Sequence, residues 1–113
     1  MHKAGDIILV PFPFTNLSDS KVRPALILAT QKDGDDLTVC FISSVLDKKL
    51  YKFDVLIDKE DANFKKTGLK LKSVVRVAKL ATLDKIVILG KIGELDAENF
   101  DKVKEILRTY FDL

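Results

Sequence analysis

The stretch that most constrains this fold is the last one. From Asp96 the sequence takes up a helical period, with Phe100, Val103, Ile106, Leu107, Tyr110 and Phe111 on one face. Asp96 suits an N-cap, and Glu98 in the first turn favours the helix dipole. Almost everything before it is broken into short apolar runs. Such a pattern predicts a mainly β (α+β) fold: a small, strongly bent sheet or barrel with the C-terminal α-helix packed across it. The aromatic stripe of that helix reads as core or dimer contact rather than as a ligand site.

The runs themselves follow strand rules. Residues 6–12 are apolar and closed by Pro11 and Pro13. Residues 25–30 show no alternation, as expected of a strand buried on both faces. Gln31 to Asp36 carries Gly34 and reads as a hairpin turn, with residues 37–44 as the return strand. Residues 51–57 begin with alternation and read as half-buried strand. Residues 58–66, charged but containing Ala62 and Phe64, suit a short helix ended by Gly68. Residues 73–79 and 86–92 complete the predicted sheet, within a single domain over residues 1–113.

Composition excludes several classes. At 113 residues, 47% hydrophobic and 32% charged, the chain is expected to be one globular, soluble domain. No apolar run approaches a membrane span, and the N-terminus lacks the apolar stretch of a signal peptide. One cysteine, Cys40, makes no intrachain disulfide, which fits a reducing cytoplasm. The one histidine, His2, stands near the chain end, so a histidine-based metal site or Ser-His-Asp triad is not expected. No cofactor or metal is expected. Charge is uneven: residues 1–93 carry +5 and residues 94–113 carry −3. A basic body suits a polyanionic partner.

The candidate chemistry centres on Arg23-Pro24, read as standing just before the apolar strand. Arginine stays charged at physiological pH, and its fork of donors fits phosphate oxygens. The proline after it restricts the arginine's backbone. With the turn centred near Gly34, residue 25 is expected to pair roughly with residue 43, which brings Ser43 within reach of Arg23. Ser44 is the alternative. A guanidinium and a hydroxyl beside a polar loop form a candidate phosphate site, one neutralising charge and the other donating a hydrogen bond. Neither has a base nearby in sequence to make it a nucleophile. RNA removes that need, because the ribose 2′-OH travels with the substrate.

These residues carry a resemblance. Gly5-Asp6-Ile7-Ile8-Leu9-Val10, Val22-Arg23-Pro24-Ala25-Leu26-Ile27-Leu28, Ile42-Ser43-Ser44, Gly68 with Ser73-Val74-Val75, Ala81-Thr82-Leu83-Asp84 and Ile92-Gly93-Glu94-Leu95 resemble the MazF/PemK family of toxin endoribonucleases, in order and spacing. The resemblance covers essentially the whole chain. It implies an SH3-like small barrel of the CcdB/PemK/MazF type, a cytoplasmic homodimer, and metal-independent cleavage of single-stranded RNA to a 2′,3′-cyclic phosphate and a 5′-hydroxyl. It places the family's catalytic arginine on Arg23 and its serine or threonine on Ser43, with Ser44 next. It also implies a cognate antitoxin protein as partner, laying an acidic segment over the same groove.

Further residues are candidates for substrate binding. Asn16, Ser18, Ser20 and Lys21 belong to the loop expected to cover the substrate. Lys48, Lys49 and Lys52 are candidates for a phosphate funnel. Phe12, Phe14 and Tyr51 are candidates for base stacking. Arg76 reads as a second phosphate contact or, more simply, as an exposed charge blunting a sheet edge. Asp6 reads as a capping or turn residue before a catalytic one. Two other functions fit the same barrel: a CcdB-like dimeric poison acting through Tyr110-Phe111-Asp112-Leu113, and a plain RNA-binding module.

Overall fold

In the computed structural model, residues 2–12, 21–44 and 50–113 are described. Strand β1 (Asp6–Phe12) is followed by β2 (Lys21–Thr30), β3 (Asp36–Ser44), β4 (Asp54–Ile57), helix α1 (Phe64–Thr67), β5 (Ser73–Asp84), a 3-10 turn (Lys85–Val87), β6 (Gly90–Glu94) and helix α2 (Ala97–Phe111). The strands form one antiparallel six-stranded sheet in the order β4-β5-β3-β2-β1-β6. It curls into a half-barrel because the register slips at Ile7/Ile8, Ile27/Ala29 and Cys40/Phe41, and each bulge adds local bend and twist. At the largest slip, Cys40 faces Leu80 while Phe41 faces Arg76, so residues 77–79 of β5 have no partner in β3.

The expected short strands, sharp bends and terminal helix are therefore present, with several boundaries moved for physical reasons. Arg23-Pro24 lies inside β2 rather than ahead of it, because β1 extends the pairing through Val10↔Arg23 to Phe12↔Lys21. The strand expected over 51–57 starts at Asp54. Its carboxylate accepts from Tyr51 N at 2.8 Å and closes a turn there instead. The helix expected over 58–66 is a single turn at 64–67, ended as predicted by Gly68 in the left-handed region. Strand β5 runs on past residue 79 to Asp84 because β3 pairs with it to its far end. The strand expected over 86–92 shifts to Gly90–Glu94: Asp84 accepts from Ile86 N at 2.9 Å and turns residues 85–87 into 3-10 conformation.

Both faces of the central strands are covered. One cluster, including Ile7, Leu26, Cys40, Ile42, Val75 and Val103, packs under α2. The other, including Ile8, Val10, Ala25, Ile27, Val39 and Phe41, fills the opposite face beside the 3-10 turn. Ala25, Leu26 and Ile27 are all fully buried, as the unalternating run implied. In α2, Asp96 caps Asn99 N at 3.1 Å. The helical stripe divides: Phe100, Val103, Ile106 and Leu107 join the core, whereas Tyr110 and Phe111 stay exposed. Tyr110 meets Phe53 edge-on at 5.1 Å between ring centroids.

Candidate active site

Register and pleat decide which groups share a face. Ala25 pairs with Phe41, two residues short of the expected Ser43: the hairpin turns between Asp33 and Gly34 rather than on Gly34, which moves the count by one, and the bulge at Ile27/Ala29 moves it by one more. The ladder then stops beside Pro24, which has no N–H to donate. Continued two residues further, the same register sets Arg23 opposite Ser43. Side chains alternate across a strand. Ala25 and Phe41 belong to the second cluster, so Arg23 and Ser43 point to that face, while Ser44 follows Ile42 to the helix-covered face. Ser43 thus shares Arg23's side of the sheet and Ser44 does not.

Beyond the end of the ladder the strands enclose a pocket of about 360 Å³. Arg23 and Pro24 form one wall, with Ile42, Ser43 and Ser44 beside them. Arg23 is exposed, and among the described residues it has no acidic partner. Leu69, Lys70 and Leu71 form the opposing wall. Lys70 is a cation the sequence reading passed over; its signal is a lysine between two leucines directly after the helix-ending glycine. This wall is built in. Gly68 turns the chain at φ +73, and a Cβ there would lie 2.0 Å from Ile92 O, so only glycine fits. Thr67 Oγ1 donates to Phe64 O at 2.6 Å and accepts from Leu69 N at 3.1 Å. At the other end, Ser73 Oγ donates to Leu71 O at 2.7 Å.

Other candidates fall in different places. Arg76 is not at an edge, because β5 lies between β3 and β4. It pairs with Asp54 at 2.7 Å, with side-chain exposures of 16% and 5%. Opposite Phe41, it lies on the Arg23–Ser43 face. With Tyr51, Phe53 and Lys79 it lines a second hollow of about 410 Å³, which Ser43 also borders. Lys21 starts β2 opposite Phe12, whose ring packs on Phe41 at 4.9 Å, so Phe12 closes the core edge. Lys52 Nζ lies 5.5 Å over the Phe53 ring. Asp6 is fully buried at the far end of β1, accepting from Lys3 N at 3.0 Å and facing Lys91 Nζ at 3.3 Å, a turn-and-edge role away from Arg23. Asn16, Ser18, Ser20, Phe14, Lys48 and Lys49 lie outside the described residues.

Two alternatives are weaker chemically. A hollow of about 750 Å³ at the start of α2 carries Glu94, Asp96 and Glu98 against Lys66, the wrong sign for a phosphate. Burial pushes the Cys40 thiol up to about 12, which keeps it protonated and unreactive. No group of three or more metal-ligating side chains converges among the described residues.

A family profile described as "PemK-like, MazF-like toxin of type II toxin-antitoxin system" matches residues 3–111. The chain belongs to the PemK/MazF toxin family. Solved structures share the fold. An endoribonuclease in complex with its cognate antitoxin from a mycobacterial species superposes with TM-score 0.77 at 16% identity, covering 100% of this chain and 97% of that one. MazF from Deinococcus radiodurans gives 0.74 at 20% identity, covering 99% and 97%. The Mycobacterium tuberculosis toxin MazF-mt6 gives 0.70 at 25% identity, covering 96% and 97%. No curated protein matches in sequence. Among the described residues of this PemK/MazF chain, no helix is long and apolar enough to cross a membrane.

Proposed function

We propose that this PemK/MazF toxin is an endoribonuclease acting on single-stranded RNA. The observation that carries this reading is that Arg23, with no acidic partner among the described residues, lines one pocket together with Ser43 and Lys70. Phosphate transfer of this kind asks little of the protein beyond positioning and charge stabilisation. The substrate's 2′-oxygen attacks the adjacent phosphorus, and the bond from phosphorus to the 5′-oxygen breaks. The 2′-OH gives up its proton to solvent water, and the departing 5′-oxygen takes one back from solvent, leaving a 2′,3′-cyclic phosphate and a 5′-hydroxyl with no net change in protons. Arg23 neutralises the charge on the phosphorane and offers an N–H to the leaving oxygen. Ser43 donates a hydrogen bond to a phosphoryl oxygen. No step needs a metal, because the guanidinium supplies the positive charge.

The partners in this reading are single-stranded RNA, a cognate antitoxin protein and a second copy of the chain. Several similar structures are toxin–antitoxin complexes, among them MazE–MazF of Deinococcus radiodurans at TM-score 0.77 and 21% identity. The test is cleavage of single-stranded RNA by purified protein in excess EDTA, with folded Arg23→Ala as control. Cleavage lost in the variant supports the assignment. Intact RNA of varied sequence after incubation with folded wild-type protein contradicts it.

The exposure of Tyr110, Phe111 and Leu113 favours a second reading, a non-enzymatic poison docking through the end of α2. In that case Arg23→Ala stays toxic and removal of the last residues abolishes toxicity.

A further inference from the structure

We propose that Tyr51 is a nucleobase platform of this site, stacking the unpaired base next to the phosphate held by Arg23 and Ser43. The inference rests on the RNA-cleaving reading and adds a base subsite to it.

Tyr51 is 66% exposed, yet it is held from beneath. Asp54 Oδ2 accepts from Tyr51 N at 2.8 Å and from Arg76 Nη1 at 2.7 Å. Asp54 N donates back to Tyr51 O at 3.1 Å. The Arg76 guanidinium carbon lies 5.6 Å from the centre of the Tyr51 ring, within cation–π range. One largely buried carboxylate thus fixes both the tyrosine's backbone and the cation beside its ring. A solvated surface tyrosine needs no such support. Here the ring has a cation on one side and open solvent around most of the rest.

Position supplies the second observation. Ser43 borders both hollows, the one with Arg23 and the one with Tyr51 and Arg76. A phosphate bound between Arg23 and Ser43 therefore leaves its attached nucleoside at the mouth of the Tyr51 hollow. Every base offers a π-face, so an aromatic platform accepts single-stranded RNA without reading hydrogen bonds. Asp54 and Arg76 act as positioning residues for that platform.

The protein has two tyrosines and no tryptophan, so a Tyr110→Phe background leaves Tyr51 as the emitting ring. The probe is a randomised pool of 2′-O-methyl oligoribonucleotides, which lack the attacking hydroxyl and stay uncut. Titration is expected to quench Tyr51 emission. Tyr51→Ala is expected to weaken binding by about 5- to 150-fold, the range of base–aromatic stacking, and Tyr51→Phe to retain it. Asp54→Asn is expected to reduce the quench more than the affinity, since the ring remains but loses its orientation. If the pool binds and quenches nothing, and Tyr51→Ala binds equally well, the platform is wrong while the ribonuclease reading stands. Failure of the folded wild-type protein to bind the pool, together with its failure to cut unmodified RNA, overturns both. If Tyr51→Ala lowers the solution mass of the protein, the ring contacts a second copy and the proposal is also overturned.

Discussion

Gly68 offers a sharp test of how the candidate site is walled. Gly68 and Gly5 both hold positive φ, +73 and +95 respectively. A Cβ on Gly5 meets nothing within 4 Å, whereas one on Gly68 falls 2.0 Å from the backbone oxygen of Ile92 in β6. Alanine at either site carries the left-handed penalty of about 1–2 kcal/mol. At Gly68 the overlap is with backbone, so α1 and β6 must part, and overpacking of this kind costs about 1–3 kcal/mol more. Gly68→Ala is therefore expected to lose about 2–5 kcal/mol and Gly5→Ala about 1–2 kcal/mol. Urea unfolding with unchanged m-values measures the difference directly. Gly68→Ala should also disturb Leu69–Leu71 and weaken RNA cleavage at temperatures where it remains folded, while Gly5→Ala retains it. Equal destabilisation by the two substitutions would refute the close approach of α1 to β6 and with it the fixed wall.

Other expectations follow from the same geometry. Ser43→Ala should lower kcat for RNA cleavage by about 10²-fold, as loss of one transition-state donor does, and Ser44→Ala far less; equal effects would contradict the face assignment. Lys70→Ala should raise the Kd for single-stranded RNA and flatten its salt dependence by about one phosphate contact, with Lys72→Ala, whose partner is Asp58 at 4.0 Å, as the inert control. Arg76→Met leaves Asp54 buried without its cation and should cost about 3 kcal/mol in urea unfolding. Burial raises the Cys40 thiol to about 12 from an ordinary 9.0, so the unfolded chain releases that proton first. Stability should hold below about pH 9 and fall as pH rises towards 12, and Cys40→Ala should flatten that fall.

The sequence was most legible where structure is local. The α2 helix could be placed from its period and from Asp96, since a cap needs only the next three residues. Gly68 was legible as a helix end for the same reason. The neighbourhood of Arg23 and Ser43 was within reach because both flank one hairpin, yet the bulge at Ile27/Ala29 shifted the count by one residue beyond the turn itself. That shift is a response to sheet curvature, which no turn motif encodes. Arg76 was misplaced because strand order departs from chain order: β5 inserts between β4 and β3, turning an expected edge charge into an interior ion pair. Strand β5 also looked too short, since residues 80–84 are held by their long-range pairing with β3 rather than by a strong pattern of their own. Lys70 carried little signal, because its importance comes from the fold of Gly68 and Ser73 around it.

The central chemical claim is that the substrate supplies its own nucleophile to a site built from Arg23 and Ser43. The most direct measurement is cleavage of an RNA oligonucleotide at a mapped site, compared with the same oligonucleotide carrying a single 2′-deoxy sugar on the 5′ side of the scissile phosphate. The expected result is cleavage of the first to a 5′-hydroxyl product and no cleavage of the second at that site. Cutting of the deoxy-substituted strand at the same position would contradict the claim.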